Sequence, residues 1–158
     1  MKKVFFLLML VVLVGCTVSE DATEEYSEDF NFVFAYGVMK KNVLNTFDNE
    51  YTKDLVQDGT IKTELILTKE EKQEIFAYMK EIGLFQYPKE ITAMNVKPDI
   101  GYMFEINNNG IKRQVNWIGM FNNSKRDKQF EQLTSMIIEL IASKESFQSL
   151  PESNGYYE

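Results

Sequence analysis

Short segments of alternating apolar and polar residues are the clearest pattern in the chain. Residues 30–38 place every second side chain on one face of a predicted strand, namely Phe30, Phe32, Phe34, Tyr36 and Val38. The same alternation predicts four further strands, over residues 43–47, 60–67, 100–106 and 111–118. The dipeptide Asn109-Gly110 favours a tight turn that joins the last two strands as a hairpin.

Two segments follow the helical period instead. Thr68 and Glu71 form a capping-box pattern that begins a helix, and Gly83 is placed to end it. The apolar stripe of this helix consists of Ile75, Phe76, Met79 and Ile82. A second helix is predicted over residues 126–144, with the stripe Phe130, Leu133, Met136, Ile137, Leu140 and Ile141. Residues 145–158 are expected to close the fold.

The predicted element order is therefore βββαββα. The simplest packing for this order is a two-layer α+β domain over residues 30–158. Its antiparallel sheet of about five strands would carry both helices on one face, and the other face would be partly exposed. The chain has 158 residues, which suits one domain of this size.

The N-terminus has the composition of an export signal. Lys2 and Lys3 precede eleven uninterrupted apolar residues, which are too few to span a bilayer as a helix. The segment then ends in Leu13-Val14-Gly15-Cys16, which contains the only cysteine of the chain. These four residues resemble the lipobox of bacterial lipoproteins.

The resemblance implies that a peptidase cuts between Gly15 and Cys16 and that Cys16 carries a diacylglyceryl group. Residues 1–15 would then be a cleaved signal peptide. Residues 16–29 carry six acids and no base, so we expect them to form a flexible acidic tether, with an acidic recognition tail as the alternative. The protein is expected on the extracytoplasmic face of the cell membrane, and the host, Gram-positive or diderm, stays open.

Composition limits the chemistry of the domain. The formal net charge is −7 and only two arginines are present, so the chain lacks the dense basic face that nucleic-acid binding requires. Histidine is absent, which excludes Ser-His-Asp and Cys-His nucleophilic sites and removes the commonest zinc ligand. We expect no catalytic residue, no metal and no cofactor.

Acidic side chains are the remaining source of catalytic chemistry. Glu50, Asp54 and Glu105 could supply a carboxylate pair for a cell-wall glycan enzyme. The acidic segment 48–58 lacks the glycine and glutamate that an EF-hand loop needs at its sixth and twelfth positions. We interpret this segment as a solvated connection between strands, and an irregular cation site stays open.

Basic and aromatic residues meet near the second hairpin. Lys112, Arg113 and Trp117 form a possible partner surface for a protein, an envelope polymer or lipid headgroups, and the alternative is a buried Trp117 beside ordinary surface lysines. The segment from Tyr36 through the first helix is similar to small lipoproteins of Gram-positive bacteria, and this resemblance supplies no activity. The sequence favours a membrane-anchored binding module, with a carboxylate-dependent envelope enzyme or an inhibitor or immunity-type lipoprotein as alternatives.

Overall fold

The structure, a computed structural model, describes residues 25–93 and 99–157. It contains seven strands: β1 Asn31–Val38, β2 Asn42–Asn45, β3 Glu50–Val56, β4 Gly59–Glu64, β5 Glu90–Thr92, β6 Ile100–Asn108 and β7 Ile111–Ile118. The helices are α1 Lys69–Glu81, α2 Lys125–Ser143 and α3 Glu145–Gln148, and a short 3-10 turn spans Leu84–Gln86. The predicted signal peptide and Cys16 lie outside the described residues.

All seven strands join one sheet in the order β4-β3-β2-β1-β6-β7-β5. The neighbouring strands are antiparallel except β5, which pairs with β7 in parallel. The long central strand β1 pairs with β6 over its whole length, from Asn31 opposite Asn107 to Val38 opposite Ile100. This pairing places the N-terminal end of the domain beside the β6–β7 turn.

One face of the sheet packs against the helices. Phe76 of α1 meets the ring of Phe30, and Phe130 of α2 meets the ring of Phe104. Phe34 pairs with Phe104 across the sheet, so both helices cover the face to which these rings point. The buried aromatic rings and aliphatic side chains of this layer form one contiguous core.

The α+β class and the mostly antiparallel sheet are confirmed, but the predicted strand count and order are wrong. The sheet has seven strands rather than about five, and four of them precede α1. The interpretation of residues 48–58 as a connection missed β3. In β3 the inward positions hold Tyr51, Lys53 and Leu55, and the lysine in the middle interrupts the apolar alternation.

Tertiary contacts explain how Lys53 occupies an inward position. Its side chain is only 8% exposed, its ammonium donates to the carbonyl of Pro151 at 2.8 Å, and it lies 4.9 Å from the centre of the Phe147 ring. Both partners lie about a hundred residues further along the chain. The other missed strand, β5, has three residues and pairs in parallel with β7, which leaves too short a pattern to detect.

The predicted helix ends agree closely with the structure. Thr68 caps α1, with its hydroxyl accepting from the amide of Glu71 and the carboxylate of Glu71 accepting from the amide of Thr68. Gly83 follows the helix with φ of +69°, the left-handed conformation that glycine adopts at low cost. Within the described residues, none of the helices is both long enough and apolar enough to span a bilayer.

Candidate functional site

The sheet face opposite the helices, here called the open face, carries the side chains that alternate with the core. The strand register aligns them in rows that cross the sheet. One row runs through Glu64, Glu50, Asn45, Val33, Glu105 and Gln114. Helices do not cover this face in the described part of the chain. Tyr157 covers Asp54 of β3, but the polar side chains of this row are exposed or half-buried and therefore available to a ligand.

A shallow cleft lies at the end of the sheet where β6 turns into β7. Its volume is about 300 Å³, and its lining residues are Phe47, Glu105, Ile106, Asn107, Lys112, Arg113 and Gln114. We call it the hairpin cleft. Phe47 follows β2, yet it reaches this site because β2 is separated from β6 only by β1. Its ring is 49% exposed, which is unusual for a phenylalanine.

Two of the three residues of the predicted partner surface line this cleft. Lys112 and Arg113 are both exposed, and the salt bridges formed within the described residues involve neither of them. The register places Lys112 opposite Asn107 on the open face and Arg113 opposite the buried Ile106, so the two side chains leave β7 on opposite faces of the sheet. Two cations without carboxylate partners and an exposed aromatic ring at one end of the sheet are suited to a surface that carries both negative charge and apolar groups. Glu105 also lines the cleft, so the site is not uniformly basic.

Trp117, the third residue of the predicted surface, lies in the core. Its side chain is fully buried, with the indole stacked on Phe130 at 4.7 Å between ring centres and Phe121 meeting it edge-on at 5.2 Å. Trp117 therefore does not belong to an exposed partner surface, and the alternative prediction of a buried Trp117 is correct. The alternation that sends Trp117 inward also sends Asn116 and Gln114 to the open face.

The N-terminal segment is bound to the β6–β7 turn next to the cleft. The Asp29 carboxylate accepts from the backbone amides of Asn109 and Gly110 at 2.7 and 3.0 Å, and from the side-chain amide of Asn107 at 3.0 Å. Hydrogen bonds from the Ser27 side chain, these two backbone amides and Asn107 lower the pKa of Asp29 to about 2. We call this set of hydrogen bonds around Asp29 the Asp29 clamp. Asn107 belongs to the clamp and also lines the cleft, so it connects the two.

The contacts of the N-terminal segment extend to Glu25. Asn108 is buried, accepts from the Ser27 amide at 3.0 Å and donates to the Glu25 carbonyl at 2.7 Å. Tyr26 packs against Phe76. Residues 25–29, which we expected to belong to the tether, therefore contact the domain, and their only sequence signal is Tyr26 within the acidic run.

The carboxylates proposed for catalysis do not converge. Glu50 and Glu105 lie in the same row of the open face, three strand spacings apart, which corresponds to about 14 Å. Glycoside hydrolysis needs carboxyl groups separated by roughly 5 to 9.5 Å. Asp54 is elsewhere, only 6% exposed, with one carboxylate oxygen 2.5 Å from the Tyr157 hydroxyl.

One close carboxylate pair could not be predicted from the sequence, because the strand that carries Glu50 was not predicted. Glu64 lies directly opposite Glu50 across β3 and β4. Lys62 holds Glu50 in an ion pair of 2.7 Å at the exposed edge of the sheet. The pair therefore sits on an open surface and lacks the water-excluding pocket that acid–base catalysis requires.

Residues with metal-binding chemistry do not cluster in the described part of the chain. Within it, no three Asp, Glu, Cys or His side chains lie close enough together to hold an ion. Glu50 and Asp54 of the acidic segment are separated because β3 is extended, and alternate residues of a strand lie about 7 Å apart. The described residues of this segment therefore offer no set of ligands for an irregular cation site.

The chain forms a two-layer α+β domain whose helices cover one face of the sheet, and the hairpin cleft lies at one end of that sheet. Comparisons with protein-family models, curated proteins and solved structures found no match for this chain. Assignment of a function therefore depends on the geometry of the domain and on the N-terminal motif.

Proposed function

We propose that the protein is a lipid-anchored, extracytoplasmic binding module and that the hairpin cleft is its contact surface. The observation that carries the contact surface is that the exposed Phe47, Lys112 and Arg113 line one cleft at the same end of the sheet. The motif Leu13-Val14-Gly15-Cys16 supports the anchor and the compartment. Acylation of Cys16 would hold the domain at the membrane, since two acyl chains anchor a protein stably where one does not.

Binding is favoured over catalysis by the arrangement of charge. The two cations of the cleft have no carboxylate partner among the described residues, whereas the candidate catalytic carboxylates Glu50, Asp54 and Glu105 are separated or engaged. Leaving two exposed cations unpaired costs little in water, and it preserves them for an external anion. The proposed activity is therefore recognition of an anionic group by Lys112 and Arg113, with Phe47 providing apolar contact.

The anchor is tested by metabolic labelling with an alkyne fatty acid in the native host. The wild-type chain should incorporate the label and migrate as the processed form. Cys16→Ala should abolish both, whereas the neighbouring substitution Thr17→Ala should leave both unchanged. Incorporation of label into Cys16→Ala would refute the anchor. Resistance of the labelled protein to added protease, in whole cells of a Gram-positive host or in spheroplasts of a diderm host, would refute the extracytoplasmic location.

The contact surface is tested by photo-crosslinking from single positions. A photoreactive amino acid at position 47 should give a discrete adduct in living cells, and the same residue at position 120 should not. Met120 is the matched control for Phe47, because the two side chains are 50% and 49% exposed. Charge reversal of Lys112 and Arg113 should remove the adduct. An adduct that persists in that variant would exclude the hairpin cleft as the contact surface.

A further inference from the structure

The point at which the chain enters the domain fixes which end of the sheet faces the anchor. Glu25, the first described residue, is hydrogen-bonded through its carbonyl to Asn108, and Asp29 binds the amides of the β6–β7 turn. The hairpin cleft shares Asn107 with this clamp. The entry point and the cleft therefore lie at the same end of the molecule.

The length of chain before Glu25 limits how far this end can be from the bilayer. Nine residues, Cys16 itself and residues 17–24, precede Glu25, and even when fully extended they span only about 30 Å. The opposite end of the sheet is displaced by the length of β6, whose eight steps from Asn108 to Ile100 correspond to about 27 Å. That end could reach the bilayer only if the nine residues were almost fully extended along the domain.

The anchored end also exposes apolar side chains. Phe47 lies in the β2–β3 turn and Ile66 lies two residues after the end of β4. Both connections are at this end of the sheet. Their side chains are 49% and 55% exposed. Lys112 and Arg113 stand on β7 beside the cleft. Apolar side chains flanked by basic ones are suited to the boundary between lipid headgroups and acyl chains.

The acidic groups at the same end determine which lipids suit this contact. Three of them are engaged, since Asp29 binds the turn amides, Glu28 pairs with Lys69 and Glu50 pairs with Lys62. Asp48, Glu64 and Glu105 are also present, so this end has no net positive field. The contact should therefore depend on apolar insertion and on individual phosphate groups, which zwitterionic and anionic phospholipids share.

We propose that the anchored end of the domain docks on the lipid surface, with Phe47 and Ile66 at the interface and Lys112 and Arg113 on headgroup phosphates. This inference rests on the proposed lipid anchor and identifies the occupant of the hairpin cleft. The cleft would then serve as a second attachment that orients the open face relative to the membrane.

The test uses the mature acylated protein in phosphatidylcholine liposomes that contain spin-labelled lipids. Acylation occupies Cys16, so a single engineered cysteine can carry an environment-sensitive fluorophore. A label at Phe47→Cys should shift its emission to the blue and be quenched by the spin-labelled lipid. The matched label at Met120→Cys, at the opposite end of β7, should show neither effect. Equal quenching at both positions, or stronger quenching at position 120, would overturn the proposal.

A second comparison isolates the phosphate contacts. Lys112→Glu with Arg113→Glu should reduce quenching of the label at position 47, whereas Lys125→Glu with Lys128→Glu should leave it unchanged. The latter residues are exposed lysines of α2 at the opposite end. The lipid contact of the cations would be refuted if both double variants behaved alike.

The two proposals fail in distinguishable ways. The mass of the purified chain reports acylation, and a chain without it would overturn the anchor and the docking together. An acylated chain with equal quenching at both positions would overturn the docking alone. Replacement of part of the phosphatidylcholine by phosphatidylglycerol should change quenching at position 47 only modestly. A strict requirement for the anionic lipid would contradict the contact proposed here.

Discussion

Substitution of Trp117 tests the central assignment of this residue to the core. The indole is fully buried and stacks on Phe130, and its Nε1 atom has no hydrogen-bond partner among the described residues. Trp117→Ala removes the whole ring and should lower the free energy of unfolding by about 3–5 kcal/mol. A surface residue would cost less than about 0.5 kcal/mol.

Trp117→Phe separates two contributions that Trp117→Ala combines. The phenyl ring keeps the stack on Phe130 but leaves part of the indole volume empty. Against this loss, the substitution removes an unpaired buried N–H group, whose burial costs about 1–3 kcal/mol. The two terms oppose each other, so we expect Trp117→Phe to lie within about 1 kcal/mol of the wild type.

Urea unfolding followed by far-ultraviolet circular dichroism measures both variants, with stabilities obtained by linear extrapolation. The single tryptophan provides an independent check, because a buried indole in the wild type should emit at short wavelength and shift to the red on unfolding. If Trp117→Phe proved as destabilising as Trp117→Ala, the indole N–H would have a partner and the argument from its unpaired state would fail. A nearly neutral Trp117→Ala would refute its place in the core.

Substitutions at Asp29, Thr68, Gly101 and Gly110 test local features. Because folding lowers the pKa of Asp29, its carboxylate contributes to stability above pH 3.8, the ordinary pKa, and this contribution is lost as the pH falls toward 2. The difference in free energy of unfolding between wild type and Asp29→Asn should therefore shrink over that pH range. A constant difference would contradict the clamp. Thr68→Ala should lower the free energy of unfolding in urea by about 1 kcal/mol, and Thr68→Ser should leave it almost unchanged. Equal stability of the two variants would show that the cap hydrogen bond contributes little. Gly101→Ala would place a Cβ atom 2.6 Å from the carbonyl oxygen of Trp117 and should cost about 1–3 kcal/mol. Gly110→Ala meets no neighbour and should cost only about 1 kcal/mol of backbone strain, and similar thermal midpoints for the two alanine variants would refute the close approach at Gly101.

Local patterns predicted most of the elements because their causes are local. The helix α1 is fixed by the reciprocal cap of Thr68 and Glu71 and by an apolar residue at every third or fourth position. The β6–β7 hairpin is fixed by Asn109-Gly110, where both residues adopt positive φ. These interactions connect residues fewer than five positions apart, so the sequence determines them without reference to the rest of the fold.

The missed strand β3 shows where local patterns fail. Lys53 faces the core side because the Pro151 carbonyl and the Phe147 ring stabilise its ammonium, and both are distant in sequence. A lysine in an inward position looks polar in any pattern that ignores these partners. The count of strands before α1 was wrong for this reason.

The residues of the candidate site also differ in whether the sequence alone could predict them. The sequence alone suggested Lys112 and Arg113, and it contains the motif Leu13-Val14-Gly15-Cys16, which resembles a lipobox. Only the tertiary structure brought Phe47 to these cations, because the sheet order leaves just β1 between β2 and β6. The order also separated Glu50 from Glu105 by three strands. Strand order depends on which faces bury the most apolar surface together, and this property belongs to the whole chain and to no single segment of it.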